Sequence, residues 1–276
     1  MTEYEVYAIK YAHHARRASE NFIGGDPHDG PMPLDYFVWL IRGHGREVVV
    51  DTGFSAAMAK KRGRDHIRCP TEGLRTLGCD AARVKDVVIT HLHYDHVGNF
   101  DLFPNAMLHL QDLEMHYATG RNMAHECFRG AYEVEDVVGM VRRVYEERVR
   151  FHDGDAEIAP GVSVHLIGGH TMGLQSVRVQ TRRGWVVLAS DASHFYANME
   201  QVRPFPIVWS VADMVDGYRK LSRQGDEWLS VDGGLGATGD ARPTLLVGVG
   251  VRRFRVWGIM QEHNAGGAIG IHLPIF

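Results

Sequence analysis

Four residues in the stretch THLHYDHVGN, residues 90–99, carry atoms that bind metal ions: His91, His93, Asp95 and His96. Imidazole nitrogen and carboxylate oxygen suit Zn2+, and also Mn2+, Fe2+ or Co2+. The preceding VKDVVIT (84–90) reads as a strand that delivers the chain into the cluster. Alternate residues of a strand share a face, so His91 and His93 can aim at one point as the strand ends. Asp95 and His96 lie past the strand, where the chain turns, and can aim at a neighbouring point. So short a segment cannot place all four side chains tetrahedrally around one ion, and two adjacent ions are the easier geometry. Gly98 relieves crowding where the backbone passes close to the site. A histidine-rich surface turn is the alternative, and the apolar strand feeding the cluster argues against it. The chain holds 17 histidines in all, an enrichment that favours metal chemistry.

Other elements must position this cluster. Residues 3–10 and 35–42 alternate or run apolar at strand length, and REVVVDTG (46–53) reads as a buried strand closed by a turn at Asp51-Thr52-Gly53. NFIGGDPHDGPMP (21–33) is a loop by its Gly, Pro and Asp content, long enough to wall a pocket with Phe22, Ile23, Met32 and Pro33. Residues 55–62 read as a helix, AMLHLQ (106–111) as a strand, and a helix follows from Asp112. Residues 134–149 place Val134, Val137, Val138, Val141, Val144, Tyr145 and Val149 at helical spacing, which predicts an amphipathic helix packed on the core. VSVHLIGG (162–169), QSVRVQT (175–181) and WVVLAS (185–190) add three strands, and 211–222 a helix. Consecutive strands joined by short turns imply antiparallel or mixed sheets with helices on their faces. A layered α/β sandwich fits this order better than a doubly wound parallel sheet. His109, His116, His125, His152 and His165 lie outside the motifs and read as structural or surface residues.

Length and composition bound the rest. At 276 residues and 45% hydrophobic content the chain can bury a sizeable core, as one large domain or two small ones. The net charge of −4 comes with no basic stripe, which argues against a nucleic-acid partner. Cys69, Cys79 and Cys127 are few, odd in number and without a CxxC pair, which fits a reducing compartment. The N-terminal MTEYEVYAIKYAHH lacks the apolar run of a signal peptide, and no run is long enough to span a bilayer. A cytoplasmic monomer or homodimer without a membrane partner is expected. After about residue 222 the composition turns Gly-rich, so residues 1–222 form one unit and 223–276 an atypical tail, packed on that unit or partly irregular.

HLHYDH resembles the HxHxDH motif of the metallo-β-lactamase-fold hydrolases. Three further segments agree in order: the Asp51-Thr52-Gly53 turn, GGHTMGLQS (168–176), and LASDASH (188–194). The resemblance covers roughly residues 35–222 and is specific, because four separated motifs agree. It implies an αββα sandwich of two mixed β-sheets flanked by helices. It also implies two Zn2+ ions, with Mn2+, Fe2+ or Co2+ as alternatives. The first would be held by His91, His93 and His170, the second by Asp95 and His96, with Asp191 bridging them. Asp51 could orient a ligand histidine or simply close its turn. The run after Asp191 and FPIVWSVADMVDGYRKL (205–221) are similar to the N-acyl homoserine lactone lactonases. That branch implies a small lactone or ester substrate opened by a hydroxide held between the ions, with Asp95 relaying the proton. A thioester or other ester hydrolase of the same fold, glyoxalase II-like, and a metal-binding member of impaired activity are the alternatives.

The chain departs from this pattern twice. The family carries a seventh ligand, a histidine in a PGHD-like turn after the helix, and no such motif occurs here. Asp240 stands near that place, and His263 and His272 are the histidines of the tail. One of these completes the second metal, or the second site stays empty, or the tail no longer represents the ancestral reading frame. Lactonases of this branch also carry a tyrosine shortly after the bridging aspartate. Here His194 and Tyr196 follow instead, each a candidate to hydrogen-bond the substrate carbonyl or leaving oxygen. Packing of His194 against the sheet rim is the alternative.

Overall fold

Three valines in the run Arg46–Val50 are buried, and a computed structural model of the chain sets this strand at the centre of a seven-stranded sheet. The structure describes residues 3–225 throughout and, beyond them, the backbone of strands between 227 and 271. The first sheet contains β1 (Glu5–His14), β2 (Leu34–Gly43), β3 (Arg46–Val50), β4 (Asp65–His66), β5 (Asp86–Val88), β6 (Met107–Gln111) and β7 (Val149–His152), in the order β4-β1-β2-β3-β5-β6-β7. It is mixed: β1, β2 and β3 pair antiparallel, whereas β3, β5, β6 and β7 run parallel. The β2–β3 turn has positive φ at His44 and Gly45, the left-handed pair that matches the twist of a two-residue hairpin.

Helices connect the parallel strands. They are α1 (Ala56–Arg62), α2 (Pro70–Thr76), α3 (Tyr94–Val97), α4 (Asp112–Ala118), α5 (Glu126–Arg129) and α6 (Val134–Tyr145). The helix expected over 134–149 stops four residues early. Its valine spacing continues, but Glu147 turns left-handed (φ 57°) and Val149 already starts β7.

The second sheet contains β8 (Ala156–Ala159), β9 (Val162–Leu166), β10 (Gln175–Thr181), β11 (Gly184–Leu188) and β12 (Glu227–Trp228). It is antiparallel except for its edge, where β12 runs parallel to β11. Alternating valines (Val162, Val164, Val177, Val179, Val186) face Ile41, Val48, Val50 and Val88 of the first sheet, and this apolar layer holds the sheets together. Two further helices, α7 (Tyr196–Glu200) and α8 (Val211–Gln224), follow β11, and α8 lies against that strand. In the tail, β13 (Ser230–Ala237), β14 (Pro243–Val251), β15 (Phe254–Gln261) and β16 (Asn264–Ile271) pair in succession, antiparallel. Asp240, His263 and His272 lie outside the described residues. Among the described residues no helix is long and apolar enough to cross a membrane.

Candidate metal centre

Parallel strands deliver their C-terminal ends to one edge, so the turns after β3 and β5 meet there. The turn after β9 and the turn after β11 arrive from the second sheet. On these four turns stand Asp51, the 91–96 cluster, His170 and Asp191. The sequence motifs, far apart in the chain, therefore converge where the two sheets end together.

Ligand atoms of His91, His93, His170 and Asp191 all lie within 4.8 Å of one another, and so do those of Asp95, His96 and Asp191. Asp191 faces both groups. Its Oδ2 is 3.2 Å from His170 Nε2 and 3.8 Å from His91 Nε2, while its Oδ1 is 3.3 Å from His96 Nε2. His96 Nε2 is 3.8 Å from Asp95 Oδ2. Ligand atoms about 2.0–2.1 Å from a tetrahedral cation stand ~3.3 Å apart from each other, so these spacings fit a divalent metal in each group.

Hydrogen bonds fix which nitrogen each ring offers. His170 Nδ1 donates to the Ile207 carbonyl at 2.7 Å, leaving Nε2 as the inward atom, 2.9 Å from His93 Nδ1. His96 Nδ1 donates to Asp51 Oδ2 at 2.7 Å, which turns its Nε2 toward Asp191 and Asp95. His91 Nε2 is buried with no hydrogen-bond partner. An orphaned buried nitrogen costs stability, and a metal ion is the partner this donor set lacks. Burial, then the neighbouring histidines, holds the His91 and His93 imidazoles well below their ordinary pKa, so both are neutral and offer lone pairs. For His96 burial pulls downward, but Asp191, Asp51 and Asp95 outweigh it and hold the ring well above its ordinary value. Burial also raises the Asp95 carboxyl, whereas for Asp191 the His194 and His96 charges overcome burial and keep it ionised.

Asp51 is the organiser of the second group. Besides His96, its carboxylate accepts from Thr90 N and Thr90 Oγ1, both at 2.8 Å. Its backbone is left-handed (φ 61°), as is that of Ser190 beside Asp191 (φ 49°). Such strained non-glycine residues persist only where surrounding bonds over-determine them. Here Thr90 Oγ1 joins both, contacting Ser190 Oγ at 2.8 Å.

His194 Nε2 lies 3.0 Å from Asp191 Oδ2, its ring stacks on Phe205 at 3.7 Å, and its Nδ1 is buried without a partner. It thus touches the cluster as well as packing. Tyr196 opens α7 two residues later and is half-buried. Of the remaining histidines, His109 is fully buried between Asp86 (3.0 Å) and His152 (3.0 Å), and His165 pairs with Asp155.

The sequence reading misses Glu114. This fully buried carboxylate accepts four hydrogen bonds. Oε1 takes Leu92 N and the Tyr132 hydroxyl, both at 2.9 Å, while Oε2 takes Thr171 Oγ1 at 2.5 Å and Gly173 N at 3.2 Å. Leu92 lies between His91 and His93 and Thr171 follows His170, so one side chain ties together the two turns that carry these candidate ligands. Tyr132 also packs edge-on against the His93 ring at 4.6 Å. Gly173 has to be glycine, because a Cβ would sit 2.0 Å from Glu114 N. Gly169, left-handed at φ 82°, likewise lies against the backbone of Met214. The available signal was the spacing of the buried face of α4, where Glu114 shares the stripe with Tyr117 and Ala118.

Residues 32–245 match the family model described as the metallo-beta-lactamase superfamily. An N-acyl homoserine lactonase of Bacillus cereus is 29% identical over 133 residues, 48% of each chain, so this chain spans about half the length of the curated relatives it matches first. A probable metallo-hydrolase of Mycobacterium tuberculosis is 24% identical over 236 residues, 75% of this chain and 70% of that one. Among solved structures, a quorum-quenching N-acyl homoserine lactone lactonase superposes with a TM-score of 0.68 at 23% identity, covering 80% of this chain and 87% of that one. The dizinc lactonase AidC superposes at 0.64 with 15% identity over 80% and 83%. With the family model spanning most of its length and the fold agreeing, this chain belongs to the metallo-beta-lactamase superfamily.

Proposed function

We propose that this chain is a metal-dependent hydrolase that opens a lactone, of the N-acyl homoserine lactone kind, or cleaves a linear ester. The observation that carries this reading is the Asp191 carboxylate, whose two oxygens face two separate groups of ligand atoms. His91, His93 and His170 would hold one ion, Asp95 and His96 the other, with Asp191 shared. Zn2+ is the first choice, and Mn2+, Fe2+ or Co2+ suit the same donors. When bound, such ions supply electrophilic activation of a carbonyl and lower the pKa of water toward neutrality.

The chain's own residues do the rest. Asp51 and the Ile207 carbonyl hold His96 and His170 in the tautomers that point Nε2 inward. Asp95, partly buried and with its carboxyl raised by that burial, would take the nucleophile's proton and return it to the leaving alkoxide. His194, 3.0 Å from Asp191, and Tyr196 are the donors proposed for the substrate carbonyl or leaving oxygen. The test is to strip the protein with a chelator, return zinc, manganese or cobalt, and follow opening of homoserine lactones, simple γ-lactones and S-lactoylglutathione. Hydrolysis that ignores metal removal sinks the reading. Preference for the thioester moves the substrate class within the same fold.

A further inference from the structure

Two arginines connect to the metal centre through intervening side chains, Arg16 through Phe205 and His194 and Arg64 through Tyr94. Arg16 and Arg64 are both half-buried, and among the described residues neither guanidinium lies within ion-pair distance of an acid. That is unusual, because a partly desolvated guanidinium normally has a carboxylate partner. The acid nearest Arg16 in the chain, Glu20, spends its carboxylate on the Arg17 backbone N–H at 2.7 Å.

Both guanidiniums are held by specific bonds to neutral partners. Arg16 donates from Nε to Asn21 Oδ1 and from one terminal nitrogen to the Glu20 carbonyl, both at 2.6 Å. Asn21 is itself fully buried and bonded to Met32 O, and its carbonyl accepts from Asn198 in α7. This pins Arg16 over the face of Phe205, 4.9 Å from the ring centre. The Phe205 ring stacks at 3.7 Å on His194, which contacts Asp191. Arg64 is held by its own contacts, one terminal nitrogen donating to the Arg62 carbonyl at 2.6 Å. Its Nε donates to the Tyr94 hydroxyl at 3.2 Å, and Tyr94 immediately precedes Asp95. The two positive charges also act on a common neighbour: burial, then Arg64 and Arg16, pushes the His14 imidazole down to about 4. That region therefore carries two permanent positive charges and a neutral histidine.

We propose that Arg16 and Arg64 form a subsite for a negatively charged oxyanion, carboxylate or phosphate, on the part of the substrate remote from the cleaved bond. The proposal rests on the hydrolase reading and narrows it: the substrate is an anionic lactone or ester rather than one with a purely apolar tail. Arginine is suited to this role because its planar fork stays charged and meets two oxygens at once. Asn21, the first residue of the 21–33 loop, supplies the amide that holds Arg16.

The experiment uses the metal-loaded full chain and three probes: N-succinyl homoserine lactone, a homoserine lactone whose acyl tail ends in phosphate, and the neutral succinamide analogue. The expected result is a kcat/KM about 10- to 100-fold higher for at least one anionic probe, carried by KM. The carboxylate and phosphate arms decide which oxyanion is preferred. In R16Q and R64Q, checked for folding by circular dichroism, the anionic-to-neutral ratio falls toward one, and R64K recovers part of it. Equal or better turnover of the neutral probe by the unaltered chain overturns the proposal and leaves the hydrolase reading intact. If none of the probes is hydrolysed, the lactone reading fails, and calorimetric binding of succinate and inorganic phosphate decides the subsite. Binding that both arginine variants weaken supports it, and binding that is absent or unchanged overturns it.

Discussion

Replacing Glu114 by glutamine tests whether one buried carboxylate assembles the metal centre. Glutamine keeps the size but turns one acceptor oxygen into a donating NH2. The Tyr132 and Thr171 hydroxyls can rotate to accept from it, but a backbone N–H cannot. Whichever way the amide sits, either Leu92 N or Gly173 N loses its acceptor. A buried donor left unpaired costs about 1–3 kcal/mol, and the remaining bonds weaken as the charge disappears. A loss of about 2–4 kcal/mol is expected, large for a single substitution. The two turns carrying His91, His93 and His170 lose their common anchor, so metal affinity should fall about 10- to 100-fold, as when outer-shell support is removed from a metal ligand. Denaturant unfolding of the metal-free protein reads the first quantity, and competition for Zn2+ against a chromophoric chelator reads the second. Stability within about 0.5 kcal/mol of the parent, with affinity within twofold, would refute the clamp, since it would mean that the carboxyl is already protonated or its bonds contribute nothing.

Three further outcomes are expected. H93A or D191N should lower lactone or ester hydrolysis by roughly 10^2- to 10^4-fold while far-UV circular dichroism is retained, and activity that survives both would remove them from the ligand set. D51N should weaken metal binding about 10- to 100-fold through His96, read by the same chelator competition, and an unchanged affinity would make Asp51 merely a turn residue. Burial first, then His109, lowers His152 to about 4. Its folded pKa lies below the unfolded value of about 6.5, so its contribution is fully present above pH 6.5 and is lost as pH falls toward 4. Urea midpoints at pH 7 and pH 5 should show that drop, and H152N should flatten it.

The 91–96 cluster is legible because a local segment carries four of the proposed ligand residues. His170 and Asp191 are legible only through their motifs, since nothing nearby in the chain explains them. Their partners come from the other sheet, with His93 lying 77 residues before His170. Glu114 is easily passed over: although it shares the buried stripe of α4, an acid in the first turn of a helix needs no further explanation. The bonds that reveal it come from residues 92, 132, 171 and 173. The layered architecture is legible in the order of strands and helices, with short turns between consecutive strands. The end of α6 is not, because valines suit both the helix stripe and β7, and the left-handed Glu147 that separates them has no glycine to announce it. Arg16 and Arg64 belong to no motif, and the absence of an acid within ion-pair distance among the described residues shows only in three dimensions.

The 77-residue separation of His93 and His170 has a consequence for how the protein comes into being. Closing a loop of that length costs a flexible chain roughly 4 kcal/mol of entropy, so the contact forms only after the two sheets have docked. During synthesis His91 through His96 emerge well before His170 and Asp191. For that interval the chain exposes a half-set of ligands, open on the side the second sheet will later cover. A cation caught then has fewer donors and no buried surroundings to retain it. With the proposed ligand set, holding metal would be a property of the completed molecule rather than of the motif, and loading would serve as a record that the two halves have met.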